Sequence, residues 1–303
     1  MLCYSVGETY FFDRLFYQKS ARYGYTENSG QQKWWGTSLG QRSEDIEALF
    51  ASTKGDDGNI LGATDTETFD IAIIGDSYVW GQGVKNSQRF PVILEKKLNK
   101  LRPTQIYSLA LPGDNLLEHL IKYRAAKESL SIDLYIFVPV QNDALINTYT
   151  PYPQTTGGVD EITNRCPARK EAIFDQAKTV TDHQYREMIL ASWHNPANRC
   201  MAETTLSLFP PNSLFFVPDD YSDNLDSYVS YRQIILQLGF SFTSASRGKN
   251  MKGYQKYWQE PQMGHFFQIS SLEKHPSKLA HQMYADILYQ EITSNPQWRF
   301  NVP

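Results

Sequence analysis

The feature that most constrains this chain is a rhythm that begins at Phe69, where short apolar runs rich in β-branched residues start to alternate with amphipathic stretches, and continues to Ile292. The first run, Phe69-Asp70-Ile71-Ala72-Ile73-Ile74, stops at Gly75. Phe90, Ile93, Leu94, Leu98 and Leu101 then recur at helical spacing, with Glu95, Lys96, Lys97 and Lys100 on the opposite face. The second run, residues 105–111, ends at Pro112-Gly113, and Asp114 is the expected N-cap of a helix carrying Leu116, Leu117, Leu120 and Ile121. Further runs cover 132–140, 214–217 and 240–243, with helices expected over 225–238 and 277–292. Strands separated by helices pair in parallel. The expected fold is therefore α/β, a three-layer α/β/α sandwich around a central parallel sheet of about five strands. Ligands of such sheets bind beyond the carboxyl ends of the strands.

Two regions depart from the rhythm. Residues 1–68 are rich in aromatic, glycine and charged residues, including Tyr10, Phe11, Phe12, Tyr23, Tyr25, Trp34 and Trp35, without a long strand-like run. They are expected to form an extension packed on a main domain of residues 69–303, since each aromatic side chain buries roughly 150–250 Å². Residues 144–212 hold Pro151, Pro153, Gly157, Gly158 and Pro167 and a helical stretch over 169–190, and read as an insertion over one end of the sheet.

The 29 basic residues are outnumbered by 33 acidic ones, for a net charge of −4, which argues against a broad nucleic-acid surface. With 41% hydrophobic and 14% aromatic residues the chain can build a sizeable core. No stretch approaches the roughly 20 apolar residues that cross a bilayer, and residues 1–10 lack a basic region followed by an apolar one. A cytoplasmic location is the default expectation, replaced by an extracytoplasmic one if the chain is part of a longer protein. Cys3, Cys166 and Cys200 match no zinc or redox spacing and are expected as free thiols, with a Cys166–Cys200 bridge the alternative for an exported protein.

Three strand ends carry residues suited to acyl chemistry: Gly75-Asp76-Ser77, Pro112-Gly113-Asp114-Asn115 and Gln141-Asn142-Asp143. Each alone is ordinary turn chemistry. A fourth segment, Glu273-Lys274-His275-Pro276-Ser277-Lys278-Leu279-Ala280-His281, precedes the last helix and brings a histidine toward the same edge.

Taken together and in this order, the four segments resemble the SGNH or GDSL hydrolase superfamily over about residues 69–292. Ile73-Ile74-Gly75-Asp76-Ser77-Tyr78-Val79-Trp80-Gly81-Gln82-Gly83-Val84, with Phe90-Pro91 and Leu94-Glu95 downstream, looks most like its bacterial carbohydrate esterase and O-acetyltransferase branch. The resemblance implies a flavodoxin-like SGNH fold, Ser77 as nucleophile and His275 as its base. It also implies an oxyanion hole from the Ser77 and Gly113 N–H groups and the Asn142 amide, and no cofactor or metal. The implied substrate is a small acyl ester, such as acetyl on a carbohydrate. Water as acceptor makes the protein an esterase, and a sugar hydroxyl makes it an O-acyltransferase. Oligomeric state is left open.

One departure bears on the mechanism. Leu272 stands where the family places the aspartate that orients the histidine, and leucine accepts no hydrogen bond. Glu273 is the substitute acid, a Ser77–His275 dyad oriented by a backbone carbonyl is the second option, and a weak site or a non-catalytic carbohydrate-binding member is the third. Val140 and Ala280 replace glycines usual in the family and remove no catalytic group.

Other patterns read as structural. Gly81-Gln82-Gly83 is no dinucleotide fingerprint, because the third glycine would fall at Asn86. His119, His183, His194 and His265 are too scattered for a metal site. Asp219, Asp220 and Asp223 read as solvated turn carboxylates, Trp80, Trp193 and Trp258 as packing residues, and Arg165, Arg169 and Arg199 as a solvated face.

Overall fold

In β1, Phe69–Gly75, successive side chains point to opposite faces, and both faces are buried: Ile71 and Ile73 enter one core, Ala72 and Ile74 the other. The computed structural model of the protein describes residues 68–110, 114–140, 143, 165–166, 196–218, 226–259, 266–269 and 275–300. The expected extension through residue 67, the helix over 169–190, and Cys3, Arg169, His183, Trp193, His194, Asp219, Asp220, Asp223 and His265 lie outside them.

Four more strands join β1: β2 (Thr104–Ala110), β3 (Leu134–Val138), β4 (Ser213–Val217) and β5 (Ser241–Ser244). All pair in parallel, in the order β2-β1-β3-β4-β5. This is the doubly wound 2-1-3-4-5 arrangement, and its direction reverses between β1 and β3. Main chains diverge there, leaving a crevice beyond the strand ends.

The helices divide between the faces. After a short α1 (Ser77–Trp80), α2 (Phe90–Leu98) buries Phe90, Leu94 and Leu98 with Met283, Tyr284 and Ile287 of α7 (Lys278–Ser294) in the core that holds Ile71 and Ile73. On the other face, α3 (Leu116–Ser129), α4 (Pro196–Leu206) and α5 (Asp226–Gln237) bring Leu117, Leu120, Met201, Leu206, Ile234 and Ile235 against Ala72, Ile74, Phe137 and Phe215. Each such fully buried side chain contributes about 1.5–3 kcal/mol of transfer free energy. A one-turn helix, α6 (Gln255–Trp258), follows β5 and a 3-10 segment at Ala245–Asn250. No helix among the described residues is long and apolar enough to cross a membrane.

Three expectations are corrected. The helix expected through Leu101 ends at Leu98, because the Asn99 side chain turns to bond both the N–H and the C=O of Thr104, and Leu101 is left 56% exposed. The cap of α3 is Asn115, whose Oδ1 accepts from Leu117 and Glu118 N–H. Asp114 instead forms a buried ion pair with Lys122, in the second turn of the helix. Cys166 and Cys200 are joined in a disulfide, with Cα atoms 5.7 Å apart, pinning Cys166 to α4 against the second core.

Candidate active site

The end of β1 fixes the position of Ser77. Gly75 is its last residue, and a Cβ there would fall 2.3 Å from Val79 Cγ2 and 3.1 Å from Val138 of β3, so only glycine lets the chain turn this tightly at the sheet edge. Asp76 then caps α1, its Oδ1 accepting the Tyr78 N–H at 2.9 Å. Ser77 opens α1 beside the β1–β3 switch point and is buried, with 6% of its surface exposed.

His275 approaches from far along the sequence. Its carbonyl accepts from Ile269 N–H at 3.0 Å, Gln268 and Pro276 form an antiparallel bridge, and Ser277 bonds the carbonyls of Phe266 and Phe267. This short ribbon rests on the turn after α1. Gly83, at φ +85°, leaves room there for Ile269 Cδ1, which would lie 2.0 Å from a Cβ. The turn is held from below by Arg89, which donates to Val79 O and Ser108 Oγ and lies over the Trp80 ring. Ser277 caps α7, its Oγ accepting the Ala280 N–H.

The result is a contact between residues 198 apart in sequence: His275 Nε2 lies 2.9 Å from Ser77 Oγ. The His275 ring also packs near Tyr78, with centroids 5.9 Å apart. On its other side the Ser77 hydroxyl reaches Asp76 Oδ2 at 3.1 Å. Burial pushes the Asp76 carboxyl up to about 6; the Tyr78 N–H, His275 and Ser77 oppose that rise, and the Asp114 charge adds to it. Glu118 accepts the Asn115 N–H at 2.7 Å, and burial with the Asp114 charge pushes it up to about 8.

Of the residues singled out from sequence, Ser77 and His275 are brought together, whereas Gly113, Asn142, Leu272 and Glu273 lie outside the described residues. Asp143, beside Asn142, is fully buried, its Oδ2 accepting the Val140 N–H at 2.9 Å. Arg199 is exposed and pairs with Glu203 of its own helix, and Trp80 packs in the core, both as expected. Sequence reasoning passed over Asp76 as a participant, reading it only as part of the Gly-Asp-Ser block. His281, the last residue of the fourth segment, is fully buried, and its Nδ1 accepts the Phe90 N–H at 3.2 Å.

No family model matches the chain, and no curated protein matches it. Among solved structures it is similar to the crystal structure of TesA, at 12% identity and TM-score 0.42, covering 75% of this chain and 99% of that one. It is also similar to the psychrotrophic esterase EstA from a Pseudoalteromonas species, at 12% identity and TM-score 0.40, covering 74% and 97%. A GDSL-like lipase from Bacteroides thetaiotaomicron aligns at 9% identity and TM-score 0.38, covering 84% and 99%.

Proposed function

We propose that this chain is a serine-dependent ester hydrolase of the SGNH or GDSL type that works through an acyl-enzyme on Ser77. The observation that carries the proposal is the 2.9 Å contact between Ser77 Oγ and His275 Nε2 at the sheet's switch point. A neutral serine hydroxyl attacks an ester poorly until a base removes its proton. An imidazole at hydrogen-bonding distance is such a base.

In the proposed cycle Ser77 Oγ attacks the acyl carbon while its proton moves to His275 Nε2. The carbonyl oxygen gains negative charge and is received by the Ser77 N–H, which opens a helix and has no acceptor within it. The Gly113 N–H and the Asn142 side-chain amide supply the other two donors in this reading, a side-chain donor of this kind contributing about 2.7–4 kcal/mol. The imidazolium then protonates the departing alcohol oxygen, and a water or an acceptor hydroxyl activated by His275 releases the acyl group.

The substrate is proposed to be a small acyl ester, acetyl on a carbohydrate, on the strength of the sequence around Ser77. An O-acetyltransferase would use the same acyl-enzyme. The Cys166–Cys200 bridge supports placing the protein in an oxidising compartment rather than in the cytoplasm. Hydrolysis of p-nitrophenyl acetate, followed with and without an oligosaccharide acceptor, tests the proposal. Acetate release that disappears in Ser77→Ala supports an esterase, acetylated oligosaccharide supports a transferase, and activity retained in Ser77→Ala refutes both.

A further inference from the structure

The short helix that begins at Ser77 leaves one side chain outside the core. Ser77, Val79 and Trp80 are buried, whereas Tyr78 among them keeps part of its surface exposed. Its backbone is fixed, because its N–H donates to Asp76 Oδ1 at 2.9 Å and the Gly81 N–H closes the turn on the Ser77 carbonyl at 2.9 Å. The Tyr78 ring packs against the His275 imidazole, with centroids 5.9 Å apart and planes tilted by 51°. His275 is itself partly exposed, while Asp76 and Ser77 are only 1% and 6% exposed. An ester that reaches Ser77 Oγ therefore arrives beside these two rings.

The two halves of the ester meet different groups. During attack the Oγ–C bond forms, the carbonyl π pair moves to oxygen, and the serine proton passes to His275 Nε2, 2.9 Å from Oγ. On collapse the bond to the alcohol oxygen breaks and Nε2–H gives the proton to it. That transfer needs the alcohol oxygen within hydrogen-bonding reach of Nε2. The alcohol half of the substrate is thus the half that lies alongside the imidazole and the ring packed on it. We propose that Tyr78 is a specificity-determining residue of the ester-cleaving site, its ring providing the apolar surface on which a six-membered ring of the alcohol half, such as a sugar, packs. The proposal rests on the esterase reading above and names the part of the substrate that the site selects.

The physical reason is area. A broad, flat ring removes more apolar surface from water against an equally broad partner than against an open-chain alcohol. A tyrosine also gives up little freedom on contact, having only two side-chain torsions to fix. A Tyr78 that merely buttressed His275 would matter equally for every ester, because the same imidazole serves them all. The two roles separate in the ratio of rates on a cyclic and an open-chain alcohol.

The test measures kcat/KM for cyclohexyl acetate and isopropyl acetate, both esters of secondary alcohols, which differ in the ring. It is run on the full chain and on Tyr78→Phe, Tyr78→Leu and Tyr78→Ala. The parent should favour the cyclohexyl ester by roughly 10-fold, Tyr78→Phe should keep that ratio, and the two ringless variants should lower it at least about threefold. Loss of folded or active protein divides out of the ratio. A parent ratio near one, or a parent-like ratio in folded Tyr78→Leu and Tyr78→Ala, overturns the proposal. So does a parent that cleaves p-nitrophenyl acetate but not cyclohexyl acetate. Should neither ringless variant fold, the parent and Tyr78→Phe decide: a ratio near ten in both supports the proposal, and a ratio near one in either overturns it. An unselective parent beside an inactive Ser77→Ala removes this proposal alone. A Ser77→Ala that still cleaves both esters, or a folded parent that cleaves none, removes the esterase reading together with it.

Discussion

The backbone N–H of Phe90 donates to Nδ1 of His281, joining the first turn of α2 to the second turn of α7 across 191 residues. Arg89, the residue before that helix, provides no side-chain cap, so the imidazole satisfies a donor that would otherwise be orphaned in the core. The acceptor role requires a neutral ring, and burial holds His281 near a pKa of about 3. His119, fully buried on α3, is likewise pushed down to about 3 by burial and by Lys122.

Acid lability follows from these two histidines. Their folded values lie below the ordinary 6.5, so between about pH 6.5 and about pH 3 the unfolded chain binds protons that the folded chain refuses. Their contribution to stability is complete above about 6.5 and is lost progressively as pH falls. Urea midpoints measured across that range should decline. His281→Leu should cost about 1–3 kcal/mol at neutral pH by orphaning the Phe90 N–H, and should flatten part of the decline.

The turn that carries the nucleophile should tolerate no side chain at Gly75. Gly75→Ala places a methyl 2.3 Å from Val79 Cγ2 and 3.1 Å from the Val138 carbonyl, which pushes the Asp76-Ser77 turn outward. A stability loss of about 1–3 kcal/mol is expected, with a larger proportional loss of esterase activity. Adding Val79→Ala removes the closest contact and should restore part of both, as thermal melts and initial rates would register.

The Asp114–Lys122 pair is buried, with side-chain exposures of 8% and 4%. Lys122→Met leaves the Asp114 carboxylate unpartnered by it and should destabilise the fold by about 3–5 kcal/mol. Asp114→Asn together with Lys122→Met should cost much less, and a double-mutant cycle in urea would measure the difference.

Reduction should loosen the α4 side of the molecule. The Cys166–Cys200 bridge closes a loop of 34 residues, worth about 3–4 kcal/mol by chain entropy. Alkylation without reductant should leave both cysteines unmodified. Adding dithiothreitol should lower the melting temperature, and Cys166→Ser/Cys200→Ser should reproduce that drop.

The sheet was legible because its runs are short, β-branched and punctuated. Gly75 and Pro112-Gly113 mark strand ends in the sequence, and alternation along Phe69–Gly75 could be read as two buried faces only once the helices on both sides were inferred. Helix ends were harder. Leu101 continues the helical spacing perfectly well, and only the Asn99–Thr104 bonds stop α2 before it. Asp114 and Asn115 are equally good capping residues, and the choice between them is made by Lys122, a partner in the second turn of the helix that local pattern does not announce.

The site shows the same division. Ser77 and His275 stand out by residue type and order, but their meeting depends on a ribbon at 266–269 and 275–277 whose register is set by Ile269 packing over Gly83. Nothing in the spacing announces that contact. The Cys166–Cys200 bridge was the alternative to three free thiols, and nothing in the spacing of the cysteines shows that their Cα atoms lie 5.7 Å apart.

Intact-mass spectrometry after exposure to a small fluorophosphonate tests the central claim most directly, since only an activated serine is phosphonylated. The parent protein should gain one adduct, mapped to Ser77, and neither Ser77→Ala nor His275→Ala should gain it. A folded parent that stays unlabelled, or a label that persists in Ser77→Ala, would contradict a nucleophilic Ser77.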